Sequence, residues 1–227
     1  MTTEQKTFNK PQTEQLPILI CLGTVGTIGQ AYMKDSGNVI VPLILAAQGA
    51  GKDARLWPYF KPEWLSFGFD PDSLTGGYLK GYQQNVAGSK GLSVLQALAG
   101  SEEGFSELCS ALDDISVDPA TPEEYCEAVT NVLSTFVQKN KPLLGYVLSQ
   151  KKEDKKRTPF YEVNRFFYPT DKQIAKEIKT AEKSAEKVSA AWERIKAGDF
   201  DTDKEGNRVQ IRVPVAVKVT FDSDTLF

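Results

Sequence analysis

The sequence predicts a β-rich α+β fold built as a single globular domain. Three observations carry that prediction. Apolar residues alternate with a period of two near both ends of the chain, as in Ile18, Ile20 and Leu22 and again from Val209 to Phe221. The middle of the chain changes to helical spacing with recognisable start signals. No repeat and no Pro/Gly/Ser-rich linker divides the 227 residues, so residues 16–221 read as one unit. A polar, loose arm (1–15) precedes it and a short acidic tip (222–227) follows.

Taken in order, Leu16 to Met33 reads as a long strand or bent hairpin, with Gly23, Gly26 and Gly29 allowing the chain to bend or approach a neighbour closely. After an Asp35-Ser36-Gly37-Asn38 turn, Val39 to Gln48 is apolar enough to be a strand buried on both faces, and Pro42 marks a bulge or an edge. Ala54 to Phe60 is a third strand. Leu92 to Leu98 is a short helix closed by Gly100, and Ser101 caps the next, with Phe105, Leu108 and Leu112 on one face. Thr121-Pro122-Glu123-Glu124 combines a cap, a proline at the first helical position and a capping-box glutamate. Tyr125, Val129, Val132 and Phe136 follow at helical spacing, and this helix must stop before Pro142.

Leu143 to Gln150 and Phe160 to Tyr168 return to strand patterns around a Lys-rich hairpin loop. Thr170 and Gln173 start an amphipathic helix over 171–197, with Ile174, Ile178, Ala181, Ala185, Val188, Trp192 and Ile195 on one face and Lys mixed with Glu on the other. The unbroken alternation over 208–221 predicts an edge strand interrupted by Pro214. Three strands, a helical stretch and two strands are the element order of an OB-type five-stranded barrel. The expected fold is therefore an OB-like core over 16–168 with a helical insertion, then a C-terminal helix and edge strand.

Composition narrows the function. Histidine is absent, which removes the commonest general base, the commonest metal ligand and every Ser-His or Cys-His pair. Cys21, Cys109 and Cys126 form an odd, scattered set that fits buried thiols in a reducing cytoplasm better than disulfides or zinc. Gly49-Ala50-Gly51-Lys52-Asp53 lacks the first glycine and the final Ser or Thr of a phosphate loop, and Gly23, Gly26 and Gly29 do not have dinucleotide spacing. The chain is read as a non-catalytic protein with no cofactor or metal. No apolar run is long enough to span a membrane, and the first fifteen residues lack a signal-peptide core.

Charge is unevenly placed although the net formal charge is only −3. Nine acids and no Lys or Arg lie between Ser101 and Glu127, whereas Lys139 to Tyr168 holds eight cations against three acids. Two segments interleave aromatics with cations. The first contributes Trp57, Tyr59 and Trp64 with Lys52 and Arg55. The second contributes Tyr161 and Phe167 with Lys151, Lys152, Lys155, Lys156, Arg157 and Arg165. Base stacking on aromatic rings and phosphate neutralisation by cations need that combination, so the five rings are candidate stacking residues and the eight cations candidate phosphate contacts.

Together with the Asp222-Ser223-Asp224-Thr225-Leu226-Phe227 tip, the segments Gly51 to Trp57 and Tyr161 to Tyr168 and the element order resemble phage-encoded single-stranded DNA-binding proteins. The likeness covers the organisation of residues 16–168 plus the tip. It implies sequence-tolerant binding of single-stranded DNA in replication or recombination, in the host cytoplasm, by a homo-oligomer. It also implies docking of partner proteins on a tip that includes Asp222, Asp224 and Phe227. This tip holds two acids, fewer than such tails usually carry, and the helix over 171–197 has no counterpart in the pattern. A different class remains open: a phage structural or assembly protein that self-associates through that helix and the 208–221 edge. An enzyme using clustered carboxylates and Mg²⁺ is a third.

Overall fold

A computed structural model describes residues 16–35, 39–48, 65–69, 90–115, 121–150 and 161–221. The sheet is organised around β1 (Ile18–Ile28), whose alternate residues divide between two sides. Along one edge β1 pairs antiparallel with β5 (Leu143–Gln150). Along the other, its second half pairs with β3 (Val39–Gln48), while Ile18 to Ile20 pair in parallel with β9 (Val217–Val219). The short β2 (Tyr32–Met33) and β4 (Leu65–Phe69) join β3, and β6 (Tyr161–Phe167) joins β5. The result is a seven-stranded, curled half-barrel, antiparallel except for β9.

Two irregularities help the curl. Between Val25 and Thr27 the β1–β3 register shifts, leaving Gly26 as the extra residue of a bulge. A second shift between Val147 and Leu148 skips Asn164 of β6. Pro42 is neither at an edge nor in a bulge: it sits opposite Gly29 where the β1 ladder gives way to β2, so the ladder ends there on one bond in place of two. Its carbonyl accepts from Gly29 N–H at 2.9 Å, and a side chain on Gly29 would run into its ring.

Four helices follow the sequence signals closely: α1 (Lys90–Ala99), α2 (Glu102–Asp114), α3 (Pro122–Asn140) and α4 (Asp171–Lys196). Ser101, Thr121 and Thr170 accept from the backbone N–H groups of Gly104, Glu124 and Gln173. Gly100 ends α1 at φ 74°, and Lys141 ends α3 at φ 45° just before Pro142. Leu95, Leu98, Leu108, Leu112, Val129 and Leu133 meet the inner residues of the sheet, Leu19, Cys21, Val41, Leu43, Tyr146 and Phe166, in one core. Asn140 donates to the carbonyls of Leu98 and Ala99, and Thr130 accepts from Ala31 N–H, tying α3 to α1 and to the β1–β2 bend.

The expected edge strand over 208–221 is not one strand. Arg208–Val209 (β8) forms a small hairpin with Asp201–Thr202 (β7), residues 210–216 run without a ladder, and only Val217–Val219 joins the sheet. The alternation arises because this stretch is extended with one packed side: Ile211 and Phe221 are buried and α4 lies against it. Ser184 of α4 donates to Val215 C=O and accepts from Val217 N–H. The packed stripe of α4 also differs from the expected one. Ala191 is buried and Trp192 is 44% exposed, and Ala185 is exposed. The expected strand from Ala54 to Phe60, the N-terminal arm and the acidic tip lie outside the described residues.

Candidate nucleic-acid interface

The side of the sheet away from the helical core is divided in two. On one half, Ile20, Leu22, Val147 and Phe167 are sealed by Ile174 and Ile178 of α4 and by Val217, Val219 and Phe221. On the other half no described residue covers β3 in the same way. Its odd-numbered residues Val39, Val41, Leu43 and Leu45 are core, whereas Ile40 and Pro42 are half-buried and Ile44 is 45% exposed. The expectation that β3 is buried on both faces is therefore corrected. Apolar residues on both faces gave no polarity contrast by which the open side could be read.

Tyr32 stands beside this open side. It pairs with Ile40 across the β2–β3 ladder and is 50% exposed, and the exposed Thr27 pairs with Ile44. Residues directly opposite in a ladder share a face, so Thr27, Tyr32, Ile40, Pro42 and Ile44 form one apolar strip, with exposed Lys34 following Tyr32. Tyr32 escaped the sequence analysis because it is an isolated aromatic outside both aromatic-basic segments. The signal was its place just after the glycine-rich bend.

Three of the anticipated contacts lie within the described residues, and all three have structural tasks. Tyr161 is 5% exposed and faces the inner core near Cys21. Burial pushes its hydroxyl up to about 12, and among the described residues no nitrogen or oxygen partners it. Phe167 is buried in the α4-covered half, and its ring occupies the space over Gly145 where a side chain would otherwise stand. Neither ring is open to a base. Arg165 projects from the same side of β6, stacks over the Phe167 ring at 5.6 Å and donates to both carboxylate oxygens of Glu177 at 2.7 and 2.6 Å. Glu177 is only 2% exposed and also accepts from Gln173 at 2.5 Å. Arg165 is thus the counter-charge of a buried carboxylate and not a free phosphate contact. The clue lay in the sequence: Glu177 interrupts the apolar line of α4.

Trp57, Tyr59, Trp64, Lys52 and Arg55 lie outside the described residues, in the connection from β3 to β4. Lys151, Lys152, Lys155, Lys156 and Arg157 also lie outside them, in the connection that begins beyond the last β5–β6 pair, Gln150 with Tyr161. Asp222, Asp224 and Phe227 lie outside them as well. Among the described residues no group of three or more Cys, Asp or Glu could hold a metal ion, and no helix is long and apolar enough to cross a membrane. The three cysteines are unpaired and buried. No protein-family model, no curated protein and no solved structure matches the chain.

Proposed function

We propose that the protein binds single-stranded DNA with little base preference, on an OB-like barrel whose ligand lies across the open side of β3. The observation that carries this reading is the exposed strip of Tyr32, Ile44 and their neighbours, on a sheet whose described inner residues and β1–β5–β6 outer half are packed. The pairing order supports the OB-like assignment. Taking β1, β3, β4, β5 and β6 as the five strands, the first pairs with the second and fourth, the second with the third and the fourth with the fifth, and α1 to α3 fall between the third and fourth. OB folds bind oligonucleotides on the face of strands two and three, flanked by the loops joining strands one-two and four-five. In this chain the four-five connection carries Lys151, Lys152, Lys155, Lys156 and Arg157, and the two-three connection carries Trp57, Tyr59 and Trp64. The role in replication or recombination is part of the same proposal.

Titration of a fluorescent single-stranded oligonucleotide tests it. Binding is expected at low salt and weakens steeply as salt rises. Tyr32→Ala and Trp57→Ala are each expected to cost about 1–3 kcal/mol of binding, the worth of one stacked base. A wild-type protein that leaves the oligonucleotide free at low salt removes the proposal. Self-association through the α4 stripe or the 211–219 segment has less support, because these two elements pack on each other.

A further inference from the structure

The solvent side of α4 is not a mixture of charges. Lys172, Lys176, Lys179, Lys183, Lys187 and Arg194 are all exposed, and at 3.6 residues per turn they fall within an arc of about 80°. That arc lies roughly opposite the buried Ile174 and the half-buried Ala181 and Val188. The acids Glu182, Glu186 and Glu193 form a separate line to one side. At 1.5 Å rise per residue the row of cations is about 33 Å long. Among the described residues none of its five lysines makes an ion pair; Arg194 pairs with Asp199 and Asp201 at the far end.

Such a row opposes helix stability. Lys172 with Lys176, Lys179 with Lys183 and Lys183 with Lys187 are like-charge neighbours at i,i+4, each unfavourable by roughly 0.2–0.5 kcal/mol. Glu182 and Glu186, three residues after Lys179 and Lys183, offset part of this, but no acid stands at such spacing from Lys172, Lys176 or Lys187, and a helix kept only for packing gains nothing from that arrangement. We infer that this row is a second track for a single-stranded nucleic acid, one that holds the phosphate backbone without touching bases. The inference rests on the nucleic-acid reading above and extends it to a surface distinct from the strip on β3. The two surfaces belong to the same side of the sheet, since α4 covers the β1–β5–β6 half and leaves the β3 half open. Together they would lengthen the strand the protein occupies.

Charge complementarity also exists within the chain, between this row and the acids of α2 and the start of α3, which a second copy could bring to it. Energetics favour the nucleic acid. An exposed carboxylate–lysine pair contributes about 0–1 kcal/mol, and a protein face has no condensed counterions to release. A polyphosphate does, and each phosphate neutralised on a single strand adds about 0.7 to the slope of log affinity against log salt.

The test compares wild type with K176Q/K179Q/K183Q, in which glutamine keeps nearly the same helix propensity, using a long single-stranded oligonucleotide across a salt series and light scattering of the protein alone. The triple variant is expected to keep the helix content of wild type by circular dichroism and to lose about 2 from the salt slope, three contacts at about 0.7 each. If wild type does not bind, the nucleic-acid reading falls and takes this inference with it. If wild type binds, Tyr32→Ala weakens it and the triple variant keeps the full slope, this inference alone is overturned. A smaller particle for the variant without nucleic acid, with unchanged slope, would assign the row to a second copy and overturn it too.

Discussion

Arg165 shows how a cation's role depends on a partner far along the chain. From sequence it is one of six positive charges in the second aromatic-basic segment. In three dimensions it neutralises a carboxylate that has almost no contact with water. Removing one member of such a pair leaves the other buried and uncompensated, which costs about 3–5 kcal/mol, whereas replacing both by apolar groups is close to neutral. Because Arg165 is itself 40% exposed and Glu177 keeps its bond from Gln173, Arg165→Ala is expected to lower unfolding free energy in urea by about 1.5–3 kcal/mol, with Arg165→Met combined with Glu177→Leu recovering most of it. Unchanged stability with weakened DNA binding would restore Arg165 to the phosphate contacts. At this scale sequence disclosed residue type but not environment. Tyr161 and Phe167 have the chemistry of stacking platforms, yet the core near Cys21 and the bare backbone of Gly145 claim them, and neither neighbour is close in sequence.

Elements were more legible than residues, because caps and stops act locally. The boundaries of α2, α3 and α4 follow from Ser101, Thr121, Pro142, Thr170 and Gly198, all readable within a few residues. What periodicity could not supply was the ladder. Alternation from Val209 to Phe221 records an extended chain with one side packed, and the packing comes from α4 and β1, not from two flanking strands. Ser184 holds that segment with one donated and one accepted bond. Ser184→Ala deprives Val215 C=O and Val217 N–H of their side-chain partner in a part-buried site, for an expected loss of about 1 kcal/mol. Hydrogen exchange should show it first as faster exchange of the Val217 amide, with amides in the middle of α3 unaffected. Equal acceleration in both places would mean that the segment does not open separately.

For the whole molecule, the proton balance of the core sets a pH limit. Burial raises Cys21 from the ordinary thiol value of 9.0 to about 11 and Tyr161 from 10.0 to about 12, and it raises Cys109 to about 11 with help from Asp113. Tyr146 moves in the same direction. Each group stays protonated in the folded protein at pH values where the unfolded chain has released the proton. The unfolded state then binds fewer protons, so stability falls as pH rises. The melting temperature is expected to decline progressively from about pH 9 to about pH 12 as these groups titrate, and Tyr161→Phe should flatten the part between 10 and 12. A melting temperature that holds steady to pH 11 would contradict this account. The mixed α+β class was legible in the sequence because period and caps agree; the division of the sheet into a covered and an open half was not, because it depends on which residues α4 covers.

The partners of β1 have a consequence for how the protein is made. Its first three residues bond with Val217 to Val219, and Thr220 N–H reaches Ile20 C=O across 200 positions of sequence. At about 5–20 residues per second, translation separates the synthesis of these neighbours by roughly 10–40 s. For much of that interval the first half of β1 has emerged without the strands that will flank it, β5 and then β9 both being distant in sequence. The sheet is therefore completed only once Val217 to Val219 have been made, and until then the nascent protein depends on whatever shields Ile18 to Leu22 from other chains.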